Sequence, residues 1–429
     1  MKNYTKTNDF LELTEEIIPL SSQTFSKSRL QYPVGASPLF LERGLGCQVW
    51  DLDGNEYTDF VNGLLSISLG YQDSDVDNAV KQQMEKGVSF SLPHPLEYQV
   101  AKQLVEYIPC AEMVRFGKNG SDVTSAAIRL ARAHTGRDLI AVGGYHGWHD
   151  WYIGSTSRDA GVPDIIKSLT LSFKYNDINS LKEIFHKHPQ KIAAVILEPV
   201  TITAPKDNFL QQVVDLCHEH GAVSIFDEMI TGFRFATGGA QQFFDVTPDL
   251  ACFGKGMANG YPLSAIVGKR AIMAKMADIF FSGTFGGETL SLAAAAATID
   301  KIKKLNVCQH FNILGEILIS DLQDLIKTNS LSEFLTVKGY PCWTVLDIHF
   351  SSVDTNLKIK HYIVQEIFKQ GVLWNGSHNL SFAHSENDIQ KLLSAYELIL
   401  SRLKTLLENQ QLENALEGEC LTPIFSIRS

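Results

Sequence analysis

Between about residue 70 and residue 300 the chain alternates two hydrophobic patterns. The first is a set of short runs: LIAV (139–142), IAAVIL (192–197), AVSIF (222–226), LACF (250–253) and SAIVG (264–268). Each is short, apolar on both faces and bounded by Gly, Pro or Asp, the pattern of strands buried in a largely parallel sheet. The second has helical spacing. From Ser121 to Thr135, Val123, Ala127, Ile128 and Ala131 share one face, and Gly136 stands where a helix ends. Phe209 to His220 closes on Gly221 in the same way. The alternation predicts an α/β fold with helices on both faces of the sheet.

Outside that region the pattern differs. Residues 1 to about 45 read as an irregular arm with one short helix, and WDLDGNEYTDF (50–60) as two strands turning at Asp53-Gly54-Asn55. After about 305 come a helix (311–327), the strands FLTVK (334–338) and WTVLDIHF (343–350), a helix (359–369), a short hairpin region (372–383) and a last helix from Asn387 to about Leu407. Ser385 with Asp388 forms a capping-box pattern before that helix. The expected division is 1–65 as arm and small-domain strands, 66–300 as the large domain and 301–429 as a smaller α+β domain.

Composition narrows the function classes. Of 429 residues, 45% are apolar and 20% charged, ordinary globular usage. The net charge is −11 without a basic block, which argues against nucleic acid and anionic membranes as partners. The apolar run Leu290 to Ile299 is too short to span a bilayer, and the N-terminal stretch has acids and no apolar core of a signal peptide. Seven scattered cysteines without a CxxC point to reduced thiols in a cytoplasmic protein, with no disulfide frame and no zinc site.

In an open α/β sheet, ligands sit at the carboxyl ends of the strands. GGYHGWHD (143–150) follows LIAV, Glu198-Pro199 follows IAAVIL, Asp227-Glu228 follows AVSIF, and Gly254-Lys255-Gly256 follows LACF. Asn119-Gly120-Ser121-Asp122 leads into the helix at 121. Singly, each has an ordinary explanation. Gly120-Ser121 can be a plain helix cap, Lys255 a solvated turn lysine and Asp227 a turn cap. His146 and His149 lack the carboxylate spacing of a metal site, and His218-Glu219-His220 fits a solvated helix end. Gly254-Lys255-Gly256 is no phosphate-binding P-loop, since no Ser or Thr follows the lysine, and no GxGxxG follows the first strand. Together the parts make a different picture. A helix N-terminus holds phosphate, a glycine-flanked lysine forms a Schiff base, a strand-end aspartate pairs with a protonated ring nitrogen, and a tyrosine stacks on the ring. Those needs are met by one cofactor, pyridoxal 5′-phosphate.

From about 25 to 405 the chain resembles the class III aminotransferases of fold type I, and within them the glutamate-1-semialdehyde 2,1-aminomutases. The resemblance rests on VWDLDGNEYTDFVNG (49–63), VRFGKNGSDVTSAAIRLARAHTGR (114–137), GGYHGWHDW (143–151), IFDEMITGFR (225–234), TPDLACFGKGMANGYPLSAIVGKR (247–270) and SGTFGGETLSLAAAAATI (282–299). It implies the fold type I architecture, a mainly parallel sheet plus a smaller C-terminal α+β domain. It also implies a role for each site residue. Lys255 is the Schiff-base lysine and proton carrier, Asp227 the partner of the pyridine nitrogen, and Tyr145 stacks on the ring opposite Met229. Gly120, Ser121 and Asp122 bind phosphate, and Glu198 lies beside the cofactor. Asn119 and His146 complete the cofactor-binding set. Thr284 reaches the phosphate from a neighbouring subunit, implying a homodimer with shared sites, and Arg29 falls where a substrate carboxylate is held. Gly63-Leu64 replaces the aminomutases' Ser-Trp, NGSHNLSF (375–382) lacks their glutamate, and Thr203 stands at their asparagine. The expected activity is transfer from an amino-acid donor to a separate carbonyl acceptor, such as a sugar or small metabolite, with an intramolecular aminomutase as the alternative.

Overall fold

The structure is a computed structural model describing residues 2–350 and 352–422. The chain divides into two compact units: one gathers the described residues up to 73 and from 309 onward, the other holds residues 74–308. The divisions thus fall eight residues beyond the expected 65/66 and 300/301, and the arm and C-terminal segments build one unit. The tail of the expected 301–429 segment, 423–429, lies outside the described residues.

The chain opens with an arm carrying the helix Thr5–Glu15, then β1 (Leu41–Leu45), β2 (Gln48–Asp51) and β3 (Glu56–Asp59), paired antiparallel in turn. The turn between β2 and β3 is held by Asp51, whose carboxylate accepts from the N–H groups of Asp53 at 3.0 Å and Asn55 at 2.8 Å.

The 74–308 unit is built on seven strands: β4 (Met113–Gly117), β5 (Leu139–Gly143), β6 (Thr170–Ser172), β7 (Ile192–Leu197), β8 (Val223–Asp227), β9 (Leu250–Phe253) and β10 (Ser264–Gly268), in the order β4-β10-β9-β8-β7-β5-β6. β6, β5, β7, β8 and β9 run parallel, and β10 runs antiparallel to both β9 and β4. All six residues of β7 are buried, which is why its sequence shows no alternation. The helix Gly120–Thr135 packs Val123, Ala127 and Ala131 into a core with Ile196, Ile225 and Ile266. It stops at Gly136, whose φ of 67° ends the helix without a Cβ clash.

In the other unit, β11 (Leu335–Tyr340) and β12 (Trp343–Ile348) form a hairpin turning at 341–342. The expected hairpin at 372–383 is not one. β13 (Val372–Leu373) joins β3 in parallel, while β14 (Ser377–Asn379) joins β12 antiparallel in another sheet. The fully buried Trp374 and Gly376, at φ +125°, turn the chain from one sheet to the other. The helix expected at 359–369 runs from Val353 to Lys369. The last helix, Glu386–Glu408, is capped as expected, with Asp388 accepting from the Ser385 N–H at 2.9 Å.

Candidate active site

Asp227 ends β8, where the strand's apolar run gives way to a carboxylate that is only 3% exposed. Its Oδ2 lies 2.8 Å from His146 Nδ1, and its Oδ1 accepts from the Met229 N–H at 3.1 Å. A ring nitrogen facing a carboxylate carries the proton, so His146 donates through Nδ1. The other nitrogen, Nε2, is buried without a hydrogen-bond partner among the described residues. Met229 lies between two glycines: a Cβ on Gly120 would sit 2.9 Å from its sulfur, and one on Gly254 2.8 Å. No larger residue fits at either position without displacing Met229.

Lys255 follows β9 and adopts φ +42°, a left-handed conformation that costs a non-glycine residue about 1–3 kcal/mol. Strain of that kind persists where the surroundings dictate it, as functional sites do. Burial lowers the Lys255 pKa, the carboxylates of Glu198 and Asp227 oppose that shift, and the Arg234 guanidinium adds to it. Glu198, just past β7, accepts from the Tyr145 N–H at 2.8 Å. Its pKa is pushed up by burial and then by Asp227. Tyr145 packs edge-on against Tyr152 at 5.5 Å and stays 46% exposed. Lys255, Asp227, Glu198, Tyr145 and His146 are thus brought to one cluster at the strand ends.

The start of the Gly120–Thr135 helix lies beside Met229, against which Gly120 packs. Asn119 is its N-cap, and Asp122 Oδ2 accepts from the N–H groups of Asn119 at 2.7 Å and Lys118 at 3.1 Å. Asp122 therefore shapes the turn with an acceptor-only carboxylate, leaving Gly120 and Ser121 to offer donors to an anion. Ser121 Oγ also accepts from the Trp148 N–H at 3.2 Å, tying the turn to the Tyr145 loop. Backbone N–H groups at a helix N-terminus, an amine whose pKa is lowered by burial, a buried carboxylate and a tyrosine ring are the kinds of group that pyridoxal 5′-phosphate requires.

Two expected residues lie elsewhere. Thr284 sits on the 282–286 loop and lines a cavity of about 360 Å3 with Lys118, Asp122, Arg129 and His149; neither Tyr145, Asp227 nor Lys255 borders it. Arg29, in the arm's unit, pairs with the carboxylates of Glu15 and Glu419. Among the described residues no group of acids, histidines and cysteines could hold a metal, and His149 instead contacts Ser125 Oγ at 2.6 Å. Sequence reasoning missed Arg234, which is 2% exposed yet acts electrostatically on Lys255. Sequence reasoning placed it only as the last residue of the IFDEMITGFR segment, without a role. It also gave no part to Glu228, which accepts from the N–H groups of Ala240 at 2.8 Å and Gln241 at 2.9 Å and so holds the loop behind the site.

The sheet order, the lysine after β9 and the aspartate ending β8 define a pyridoxal-phosphate-dependent transaminase of fold type I. Residues 31–387 match the family Aminotransferase class-III, and the chain belongs to it. It is 33% identical over 383 residues to 3-aminobutyryl-CoA aminotransferase of Cloacimonas acidaminovorans, covering 87% of this chain and 91% of that protein. It is 33% identical over 420 residues to glutamate-1-semialdehyde 2,1-aminomutase of Desulforamulus reducens, covering 92% and 97%. Among solved structures, the FumI protein of Sphingopyxis sp. MTA144 superposes with a TM-score of 0.88 at 28% identity, covering 96% of this chain and 99% of that one. That structure carries pyridoxal phosphate, and the family fixes the same cofactor for this chain. Among the described residues no helix is long and apolar enough to cross a membrane.

Proposed function

We propose that the protein transfers an amino group from an amino-acid donor to a separate small carbonyl acceptor, such as a sugar or another small metabolite. The observation that carries the chemistry is the Lys255 amine, lowered by burial and set among Glu198, Asp227 and Arg234. Bound here, pyridoxal 5′-phosphate supplies an aldehyde for amines and a ring that takes up electrons when a substrate Cα loses its proton. Lys255 Nζ would hold the cofactor through its aldehyde and is the amine placed to carry a proton between the substrate Cα and the former aldehyde carbon. Its depressed pKa keeps a larger neutral fraction for that task. Asp227 holds a proton on the ring nitrogen, and His146 fixes the carboxylate's direction. Tyr145 covers one ring face and Met229 the other, while Gly120 and Ser121 hold the phosphate.

The choice of transfer between two molecules rests on residues that differ from the aminomutases. Asn62, Gly63, Leu64 and Leu65 form a left-handed turn, with φ of 47°, 56°, 61° and 70°. Such a run of positive φ is costly for Asn and Leu and is kept for a purpose. It stands where aminomutases carry Ser-Trp. Arg29 is proposed to receive a substrate carboxylate in exchange for Glu15 or Glu419.

The active species is proposed to be a homodimer in which Thr284 of one subunit reaches the phosphate held by Gly120 and Ser121 of the other. The strongly exposed Phe280 and Phe285 beside Thr284 support a covered face there. Six of the seven cysteines are buried free thiols, in keeping with a cytoplasmic protein.

The test is an omission experiment on purified protein, reading the cofactor's absorbance. An amino donor alone should convert the cofactor to its amine form, and a carbonyl acceptor should restore it. Turnover of glutamate-1-semialdehyde with no second substrate would favour the aminomutase alternative instead.

A further inference from the structure

The unit formed by the described residues up to 73 and from 309 onward contains a cavity of about 430 Å3, within the roughly 300–1,000 Å3 span of small-molecule clefts. One wall is apolar: Val345, Leu346 and Ile348 from β12 and its end, with Val353 and Leu357 from the Val353–Lys369 helix. The other is polar, with Lys360, Asn356 and Asn375. Gly376 leaves space at the amine, since a Cβ there would stand 3.7 Å from Lys360 Cε and 3.8 Å from Nζ.

Lys360 differs from the other lysines of its helix. Lys358 is paired with Asp354 and Glu413, and Lys369 with Glu366 and Glu417. Lys360 has only the neutral Gln31 Oε1, at 3.3 Å, and makes no ion pair among the described residues. Burial alone lowers its pKa to about 8, and no charged neighbour offsets it. An ammonium has three donors and no acceptor, so this amine retains donor capacity facing the cavity. A partly buried cation without a counterion carries a desolvation cost, and a ligand that supplies one gains part of that energy on binding. Asn356 Oδ1 is used by the Phe350 N–H at 2.7 Å, which leaves its amide hydrogens to donate as well.

We propose that this cavity is a second binding site, distinct from the cofactor cluster, for a small aliphatic carboxylic acid. The carboxylate sits on Lys360 Nζ and the Asn356 amide, and the hydrocarbon body lies on Val345, Leu346, Ile348, Val353 and Leu357. The complex is noncovalent and needs no other component.

Octanoate and octan-1-ol, which share a chain and differ in charge, test this in calorimetric titrations of the holoenzyme. At pH 7 octanoate should bind at least about tenfold more tightly than the alcohol, the size of one charge-assisted hydrogen bond. Above pH 8 the free amine is neutral and binding must bring a proton, so octanoate affinity should fall about tenfold per pH unit. Lys360→Met should erase the preference for the acid. A second readout needs no variant: acetic anhydride at limiting dose should acetylate Lys360 ahead of Lys358 and Lys369, and octanoate should protect it. Equal binding of acid and alcohol, full octanoate binding in Lys360→Met, or labelling of Lys360 unchanged by octanoate would each overturn the proposal.

Discussion

Replacing Asp227 with asparagine tests the centre of the site. The carboxylate now accepts two hydrogen bonds, from His146 Nδ1 at 2.8 Å and from the Met229 N–H at 3.1 Å. An asparagine offers one acceptor atom and one donor atom. If its NH2 turns to Met229, two donors face each other. If it turns to His146, the imidazole must move its proton to Nε2, which has no hydrogen-bond partner among the described residues. Either way at least one buried donor is left unpaired, a cost of about 1–3 kcal/mol each. For a unit of this size the melting temperature should fall by roughly 2–4 °C per kcal/mol. The rate should suffer more. A neutral amide cannot hold a proton on the ring nitrogen, and losing one such electrostatic group costs about 2.7–4 kcal/mol, or ~10²–10³ in kcat. Single-turnover absorbance kinetics read the rate, and thermal unfolding of the cofactor-free protein reads the stability. Combining Asp227→Asn with His146→Phe removes one of the two donors, so the stability costs should be less than additive. A variant that keeps its rate to within about tenfold of the wild type would remove Asp227 from the mechanism.

Lys255→Ala should abolish turnover and leave the circular dichroism spectrum unchanged; borohydride labelling of a different lysine in the wild type would overturn the assignment. Glu198 has a folded pKa above its ordinary value, so the stability tied to its protonated form is complete below about pH 4 and lost as pH rises through the raised value. Glu198→Gln escapes that loss, and its melting temperature relative to wild type should climb with pH; a flat difference would argue against the buried charge. Mixing Lys255→Ala chains with a Thr284 variant too severe to bind cofactor should restore partial activity, since one site of each mixed dimer keeps both residues. No recovery in a mixture shown to contain heterodimers would mean that each site is built from one chain.

Much of this was legible because local and global signals agree. β7 shows in sequence as six apolar residues and is buried along its whole length. Gly136 and the Ser385-Asp388 pair sit where the helix ends require them. Asp227, Glu198, Tyr145 and Lys255 stood out as a group in the sequence because each lies at or just past the end of a buried strand. What was hidden depends on distant partners. β4 carries Arg115 and partly exposed positions, so it lacks the apolar run of its neighbours, and β6 has three residues. β13 and β14 look like one hairpin until their partners, β3 and β12, are known. The pairing of Arg29 with Glu419 joins residues at opposite ends of the chain, beyond the reach of any spacing argument.

The interleaving of the two units has a consequence for synthesis on the ribosome. β3 pairs with β13, so Asp59 waits for Leu373. With roughly 300 residues between them and elongation at ~5–20 residues per second, that wait lasts roughly 15–60 s. The 74–308 unit, contiguous in the chain, has all its strands available well before then. Throughout that interval β3 presents an open edge beside residues such as Tyr57 and Phe60, which are fully buried only later. The nascent N-terminal segment is therefore the part of this protein with most need of a chaperone. Slowing translation within 309–372 would lengthen that exposure and lower the yield of active enzyme, with no change in its sequence.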